Sequence, residues 1–183
     1  MKILLLGKNG QVGWELQRSL APLGELVALD RQGANGQCGD LSNLEGLRQT
    51  IRSLQPDVLV NAAAYTAVDK AESEPEQADL INAQAPQVMA EEMHKLSGWL
   101  VHYSTDYVFD GQSTRPYRPD DATAPLGVYG ASKLAGEEAI RESGCRHMIF
   151  STAWVYGNHG SNFMRTMLRL GAARDELSVV ADQ

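Results

Sequence analysis

Short apolar runs alternate with longer amphipathic stretches along almost the whole chain, and this alternation limits the fold more than any other feature. "KILLLG" reads as a buried strand, "QVGWELQRSLAPL" as a helix, "ELVALD" as a second strand and "NLEGLRQTIRSL" as a second helix. The series continues with "DVLVNAAA" (strand), "EQADLINAQAPQVMAEEMHKL" (helix), "GWLVHYST" (strand), "GVYGASKLAGEEAIRES" (helix) and "HMIFSTAW" (strand). Strand–helix–strand units of this kind close into a parallel sheet with helices on both faces. Several strands are apolar almost throughout, as a sheet covered on both sides requires. The expected fold class is α/β, a doubly wound parallel sheet. Residues 31–40 and 111–126, rich in Gly, Asn, Pro and Asp, read as loops. "SNFMRTMLRLGAARDELSVVADQ" gives one more helix and then a strand, "LSVV", that stops three residues later, which predicts a cut chain.

The 183 residues, 43% hydrophobic and 21% charged, suit one core and one domain. A net charge of −7 with no basic cluster argues against nucleic acid as a partner, while leaving small anionic ligands open. Cys38 and Cys145 stand alone, without a CxxC, so neither a disulfide framework nor a zinc site is expected. The apolar run in "MKILLLG" is too short for a signal peptide or a membrane span, so no membrane contact and a cytoplasmic location are expected. His94, His102, His147 and His159 show no metal-ligand spacing and read as structural or surface groups.

Between the first strand and the first helix, "GKNGQVG" places Gly7, Gly10 and Gly13, with Gln11 and Val12 opening the helix. A tight turn, close backbone approach and free N–H groups at a helix N-terminus are what a dinucleotide pyrophosphate needs. The spacing is GxxGxxG rather than GxGxxG, so position after an N-terminal strand carries the inference. Asp30 ends the second strand, near the offset of about 20 residues where a carboxylate bonds the adenosine ribose. Arg31 beside it could instead pair with a 2′-phosphate, leaving NADH and NADPH both open as cofactor.

"YGASK" sets Tyr129 and Lys133 at i and i+4, on one face of a helix. An ammonium beside a phenol is expected to lower the tyrosine pKa toward a range useful for proton transfer. Thr105 and Asp106 end the preceding strand, and the carboxyl ends of parallel strands face the ligand crevice.

The glycine turn, "NAAA" at 61–64, Thr105, and Tyr129 with Lys133 resemble the extended short-chain dehydrogenase/reductase family, with its Rossmann-like domain and its Ser/Thr, Tyr and Lys set. Within it, "GKNGQVGWELQRSLAP", "DVLVNAAAYTAVDKAESEP", "VHYSTDYVFDG" and "GVYGASKLAGE" are similar to reductases of dTDP-linked 4-keto sugars, over essentially the whole chain. The resemblance implies hydride transfer from NADPH or NADH to the C4 keto group of dTDP-4-dehydro-β-L-rhamnose, giving dTDP-β-L-rhamnose for cell-surface polysaccharide. It implies Tyr129 as proton donor, Lys133 on the nicotinamide ribose and tuning Tyr129, and Thr105 on the same carbonyl oxygen. Asp40, Leu41, Ala63, Ala64, Tyr65, Thr66 and Tyr103 would line the cofactor, and Asp106 and Trp154 the sugar nucleotide. An apolar strand running into Trp154 also reads as plain core, and Asp106 as a loop acid. Some members hold a divalent cation at a subunit contact near the position of Glu15; no metal is expected from the residues of this chain. Members of the family continue into a smaller substrate domain, so residues 1–183 are expected to be the dinucleotide-binding part, with a homodimer possible in the complete protein.

Three other readings compete. A 4,6-dehydratase of the superfamily carries Thr-Asp-Glu where this chain has Thr105, Asp106 and Tyr107, and an epimerase carries a serine pair there. A non-catalytic, dinucleotide-binding regulatory subunit need not keep Thr105, Tyr129 and Lys133 together.

Overall fold

The computed structural model describes residues 1–179. In chain order the elements are β1 (Lys2–Leu6), α1 (Gln11–Leu20), β2 (Glu25–Leu29), α2 (Leu44–Leu54), β3 (Val58–Asn61), α3 (Val68–Ala71), α4 (Pro75–Asp79), α5 (Ala85–Lys95), β4 (Trp99–Thr105), α6 (Val128–Glu142), β5 (Arg146–Thr152) and α7 (Phe163–Gly171). The strands form one parallel sheet in the order β2-β1-β3-β4-β5. This is the expected α/β, doubly wound, Rossmann-like architecture.

The apolar residues of β1 go alternately to the two faces. Leu4 and Leu6 join Leu47 and Ile51 of α2, Val88, Met89 and Met93 of α5, and Ile140 of α6 on one side. Ile3 and Leu5 join Val60 and the flank of α1, Leu16 and Leu20, on the other. Each fully buried Leu or Ile contributes about 1.5–3 kcal/mol through removal of its side chain from water. The second face is only partly covered, because Met148 and Phe150 of β5 are about half exposed and α7 buries none of its residues.

The register sets the site. Leu6 pairs with Leu29 and Asn61, Asn61 pairs with His102, and His102 pairs with Ile149, so one row crosses the sheet at the carboxyl ends of β1, β2 and β3. β4 and β5 run three residues further, to the Thr105–Thr152 pair. Gly7, Asp30, Ala62 and residues 103–105 therefore share one edge.

Three expected elements differ in detail. The helix expected over 76–96 is broken by a π turn at Leu80–Gln84, where the Ala85 N–H donates to the Leu80 carbonyl. Pro86 has no N–H to offer Asn82 and its ring would crowd that carbonyl, which the wider turn relieves. The strand expected through Trp154 stops at Thr152. Residues 177–179 form no strand, and the rest of "LSVV" lies outside the described residues.

α2 and α5 are tied by Glu92, buried, whose carboxylate accepts from Arg52 Nε at 2.7 Å, Arg52 Nη2 at 2.9 Å, Arg48 Nη1 at 2.7 Å and Lys95 Nζ at 2.8 Å. The Arg52 hydrogen bonds first, against the cost of burial and with help from Lys95 and Arg48, hold its pKa down to about 2. Because the folded pKa lies below the unfolded one, this stabilisation is present above about pH 4.5 and lost as pH falls toward 2. Glu92→Gln is expected to cost roughly 2 kcal/mol at pH 7 in urea unfolding and to flatten the acid limb of stability.

Candidate active site

β1 delivers the chain into a turn that only glycine permits. Gly7 has φ +83°, and a Cβ there would lie 2.8 Å from the Ala62 carbonyl carbon and the Ala63 nitrogen. A Cβ on Gly13 would fall 2.0 Å from the Gly7 carbonyl oxygen, so α1 sits directly on the turn. The Gly7 and Lys8 N–H groups donate to the Leu29 carbonyl at 2.9 and 3.2 Å, which fixes the loop against β2. α1 starts after Gly10 with neither a side-chain cap nor an acid in its first turn, so its N–H groups and dipole face the crevice without an internal anion. Gln11 and Val12 are half-buried at this end, and Asn162 donates to Gln11 Oε1 at 2.9 Å, tying the segment after β5 to the turn.

Asp30 stands at the rim. Burial works against its charge, but the Gln32 N–H, Lys8 and Asn9 outweigh this and keep its pKa below the usual carboxylate value. Lys8 Nζ lies 3.4 Å away and Asn9 Nδ2 donates at 3.0 Å. Arg31 is exposed, its Nε 3.3 Å from Asp40, which also accepts from the Ser42 N–H and hydroxyl. Leu41 turns its side chain into the core, leaving only its backbone for the crevice. Across the turn, Ala63 and Ala64 are half-buried and Thr66 exposed, while the Tyr65 phenol points to Glu74 at 2.8 Å. Tyr103 is half-buried on the α1 side of the sheet, its ring 5.9 Å from Phe150.

Thr105 is buried at the end of β4; its hydroxyl donates to Asp106 Oδ1 at 3.1 Å and accepts from the Tyr107 N–H at 3.2 Å. Tyr129, in the first turn of α6, meets the Tyr107 ring edge-on at 5.6 Å. Desolvation raises its pKa; hydrogen bonding with Thr105 opposes this, and the charge of Asp106 adds to it. Thr105 and Tyr129 thus both lie against Tyr107 at the carboxyl edge of the sheet, the first through the Tyr107 N–H and the second through its ring. Trp154, two residues past Thr152, is exposed in this chain with φ +50° and packs edge-on against Phe163 at 5.3 Å.

Lys133 departs from expectation. It shares the helix with Tyr129, yet its amine donates to the Tyr103 carbonyl at 2.7 Å and lies 3.2 Å from His102 Nε2, with almost no exposure. Burial lowers its pKa to about 8, opposed by Glu137. It is not among the groups acting on the Tyr129 phenol, whose pKa is raised rather than lowered. The physical reason is that the β4 carbonyl offers the buried amine a good acceptor, while the phenol is set against Thr105.

Several supporting residues were given no role at the site in the sequence. Glu72 Oε1 accepts from the Val128 N–H at 2.8 Å, supplying α6 with the N-terminal acid its own sequence lacks. Asn82, on the π turn, accepts from the Tyr65 N–H at 2.9 Å and donates to the Tyr65 carbonyl and Ser132 hydroxyl, each at 3.0 Å. Gly136 of α6 approaches the Asn82 carbonyl so closely that a Cβ would lie 2.1 Å from it. Asn61 and His102 form a buried cross-strand pair behind Lys133. A polar residue inside an apolar strand was the available signal for the last two.

With this geometry in place, comparison with known proteins decides the family. The family model described as "RmlD substrate binding domain" matches residues 1–183. The chain belongs to this family. It is 57% identical over 183 residues to dTDP-4-dehydrorhamnose reductase of Escherichia coli K12, covering all of this chain and 61% of that protein. It is 43% identical to the spore coat polysaccharide biosynthesis protein SpsK of Bacillus subtilis, covering 63% of it. Among solved structures, dTDP-4-dehydrorhamnose reductase of Clostridium acetobutylicum superposes over the whole chain with a TM-score of 0.93 at 39% identity, covering 64% of that chain. The Bacillus anthracis enzyme, solved in complex with NADP, gives 0.91 at 38% identity, covering 63%. The chain therefore spans a little over three-fifths of the relatives it matches. No helix among the described residues is long and apolar enough to cross a membrane, and no group of three or more potential ligands there could hold a metal ion.

Proposed function

We propose that residues 1–183 are the dinucleotide-binding domain of an NAD(P)H-dependent oxidoreductase that reduces the C4 keto group of dTDP-4-dehydro-β-L-rhamnose to give dTDP-β-L-rhamnose. The observation that carries this reading is the placement of Thr105 and Tyr129 against Tyr107, at the sheet edge that also holds the glycine cradle. The names of the family's reductases support the substrate, and cell-surface polysaccharide in the cytoplasm's biosynthetic machinery is the setting that fits.

The cradle fits a dinucleotide, since backbone lies where a Cβ at Gly7 or Gly13 would sit and the uncapped start of α1 faces the same crevice. A bound reduced nicotinamide supplies the hydride. Thr105 hydrogen-bonds the carbonyl oxygen of the sugar, and Tyr129 gives that oxygen a proton as negative charge builds on it. Lys133, whose amine points inward to the Tyr103 carbonyl, would bond the nicotinamide ribose on turning outward. Asp106 and Trp154, at neighbouring strand ends, contact the sugar nucleotide. Asp30 accepts from the adenosine ribose, with its charge partly balanced by Lys8, while exposed Arg31 is free to turn to a 2′-phosphate, so both NADH and NADPH are accommodated. The half-exposed apolar residues of β5 and α7 support a further, smaller domain that completes the sugar site, and a homodimer of the complete protein.

The test is turnover by the complete-length protein. Oxidation of NADPH or NADH that depends on the dTDP-4-keto sugar, with a product two hydrogens heavier, is the expected result. Dinucleotide binding without turnover would instead favour the regulatory subunit, and equal rates with UDP-linked 4-keto sugars a broader reductase.

A further inference from the structure

Behind the proposed site lies a buried chain of three side chains, Asn61, His102 and Lys133. Their hydrogen-bond roles follow from one fixed point. Asn61 Oδ1 accepts from the Ala63 N–H at 3.1 Å, and since that backbone group can only donate, the orientation of the amide is set. Asn61 Nδ2 then lies 3.1 Å from His102 Nδ1 and donates to it. A nitrogen that accepts carries no proton, so neutral His102 bears its hydrogen on Nε2, and Nε2 is the atom 3.2 Å from Lys133 Nζ. An ammonium opposite that N–H would set donor against donor; an amine with a free lone pair accepts from it.

We propose that His102 is a positioning residue for Lys133: held by Asn61 in the Nε2–H tautomer, it retains the uncharged amine beneath the site and turns the ammonium outward to the crevice. This rests on the proposed role of Lys133 at the nicotinamide ribose, where the charged form is wanted. The surroundings agree. His102 is almost wholly buried, and desolvation first, then Lys133, holds its pKa well below the usual imidazole value. From α6 itself, Glu137 draws Lys133 toward its charged form, but Glu137 is also engaged by the Ser104 hydroxyl and by Arg141. The Tyr103 carbonyl accepts from lysine in either state and does not discriminate. His102 is thus the group beside the amine that distinguishes its two forms. The inward position also explains why Lys133 leaves the Tyr129 phenol untuned here.

The experiment is nitrogen-15 NMR of the histidine-labelled chain, with Lys133 titrated through its side-chain resonances. The expected result is a neutral His102 with its proton on Nε2 at neutral pH and a Lys133 titration near 8. Asn61→Asp is the decisive variant. A carboxylate accepts at both oxygens, so it keeps the Ala63 bond but forces the His102 proton to Nδ1, leaving Nε2 to accept from an ammonium. The tautomer should reverse and the Lys133 titration move up by about one unit, a tenfold change in its acidity constant. A proton on Nδ1 in the unaltered chain, or an Asn61→Asp variant with both signals unmoved, overturns the proposal. Should that variant fail to fold, the unaltered chain alone decides. Dinucleotide titration of the unaltered chain is read separately: loss of binding there would sink the cofactor reading and leave the tautomer result standing.

Discussion

Tyr129→Phe is expected to leave dinucleotide binding within about twofold and to lower turnover of the complete protein by about 10²–10⁴-fold, the range for loss of a positioned general acid. The change removes one oxygen and keeps the ring that meets Tyr107 edge-on, so fold and crevice shape persist. The environment fits an acid rather than a base: desolvation raises the Tyr129 pKa and the Asp106 charge adds to it, with Thr105 pulling back. The phenol therefore keeps its proton through neutral pH, and the rate should hold at neutral pH and fall as alkaline pH ionises Tyr129. In Tyr129→Phe that alkaline limb should vanish with the activity. Steady-state kinetics of both proteins across pH is the check, and near-normal turnover by the variant would remove Tyr129 from the chemistry.

Gly13→Ala should damage binding and stability together, whereas Gly10→Ala should spare the fold. At Gly13 the added carbon would lie 2.0 Å from the Gly7 carbonyl oxygen and 2.7 Å from its carbon, and no flexible side chain is there to yield. α1 has to move off the turn, at a cost of about 1–3 kcal/mol for overpacking. The same displacement takes the α1 N–H groups away from the pyrophosphate, for a loss of affinity of roughly 100-fold, as expected of a misplacement near 1 Å. At Gly10 the nearest atom is 3.5 Å away, an ordinary contact, so thermal stability should be unchanged. Thermal unfolding and fluorescence titration with NADH, run on both variants, separate the two cases.

Much of this was legible in the chain, for reasons that can be named. Apolar runs such as "ILLL" are buried on both faces of a sheet, so β1 to β5 and their parallel arrangement follow from pattern alone. That Thr105 and Tyr129 share a neighbourhood, both against Tyr107, was legible because a strand end and the next helix N-terminus converge at one sheet edge. What pattern could not give was the direction of a long side chain. Lys133 sits at the right spacing from Tyr129, but its amine answers to the Tyr103 carbonyl and His102, partners set by tertiary packing. His102 itself, inside an apolar strand, read as structural because Asn61, its partner, is 41 residues away. The π turn at Leu80–Gln84 was hidden for a similar reason: Pro86 shows that a helix is disturbed, but the close approach of Gly136 to Asn82 is visible only in three dimensions.

The central claim, that this chain is built to hold a nicotinamide dinucleotide at the carboxyl edge of its sheet, is tested most directly by titrating it with NADPH and NADH while following nicotinamide fluorescence. Saturable binding of either, weakened by roughly 100-fold in Gly13→Ala and retained in Tyr129→Phe, is the predicted result; a folded chain that binds neither would contradict it.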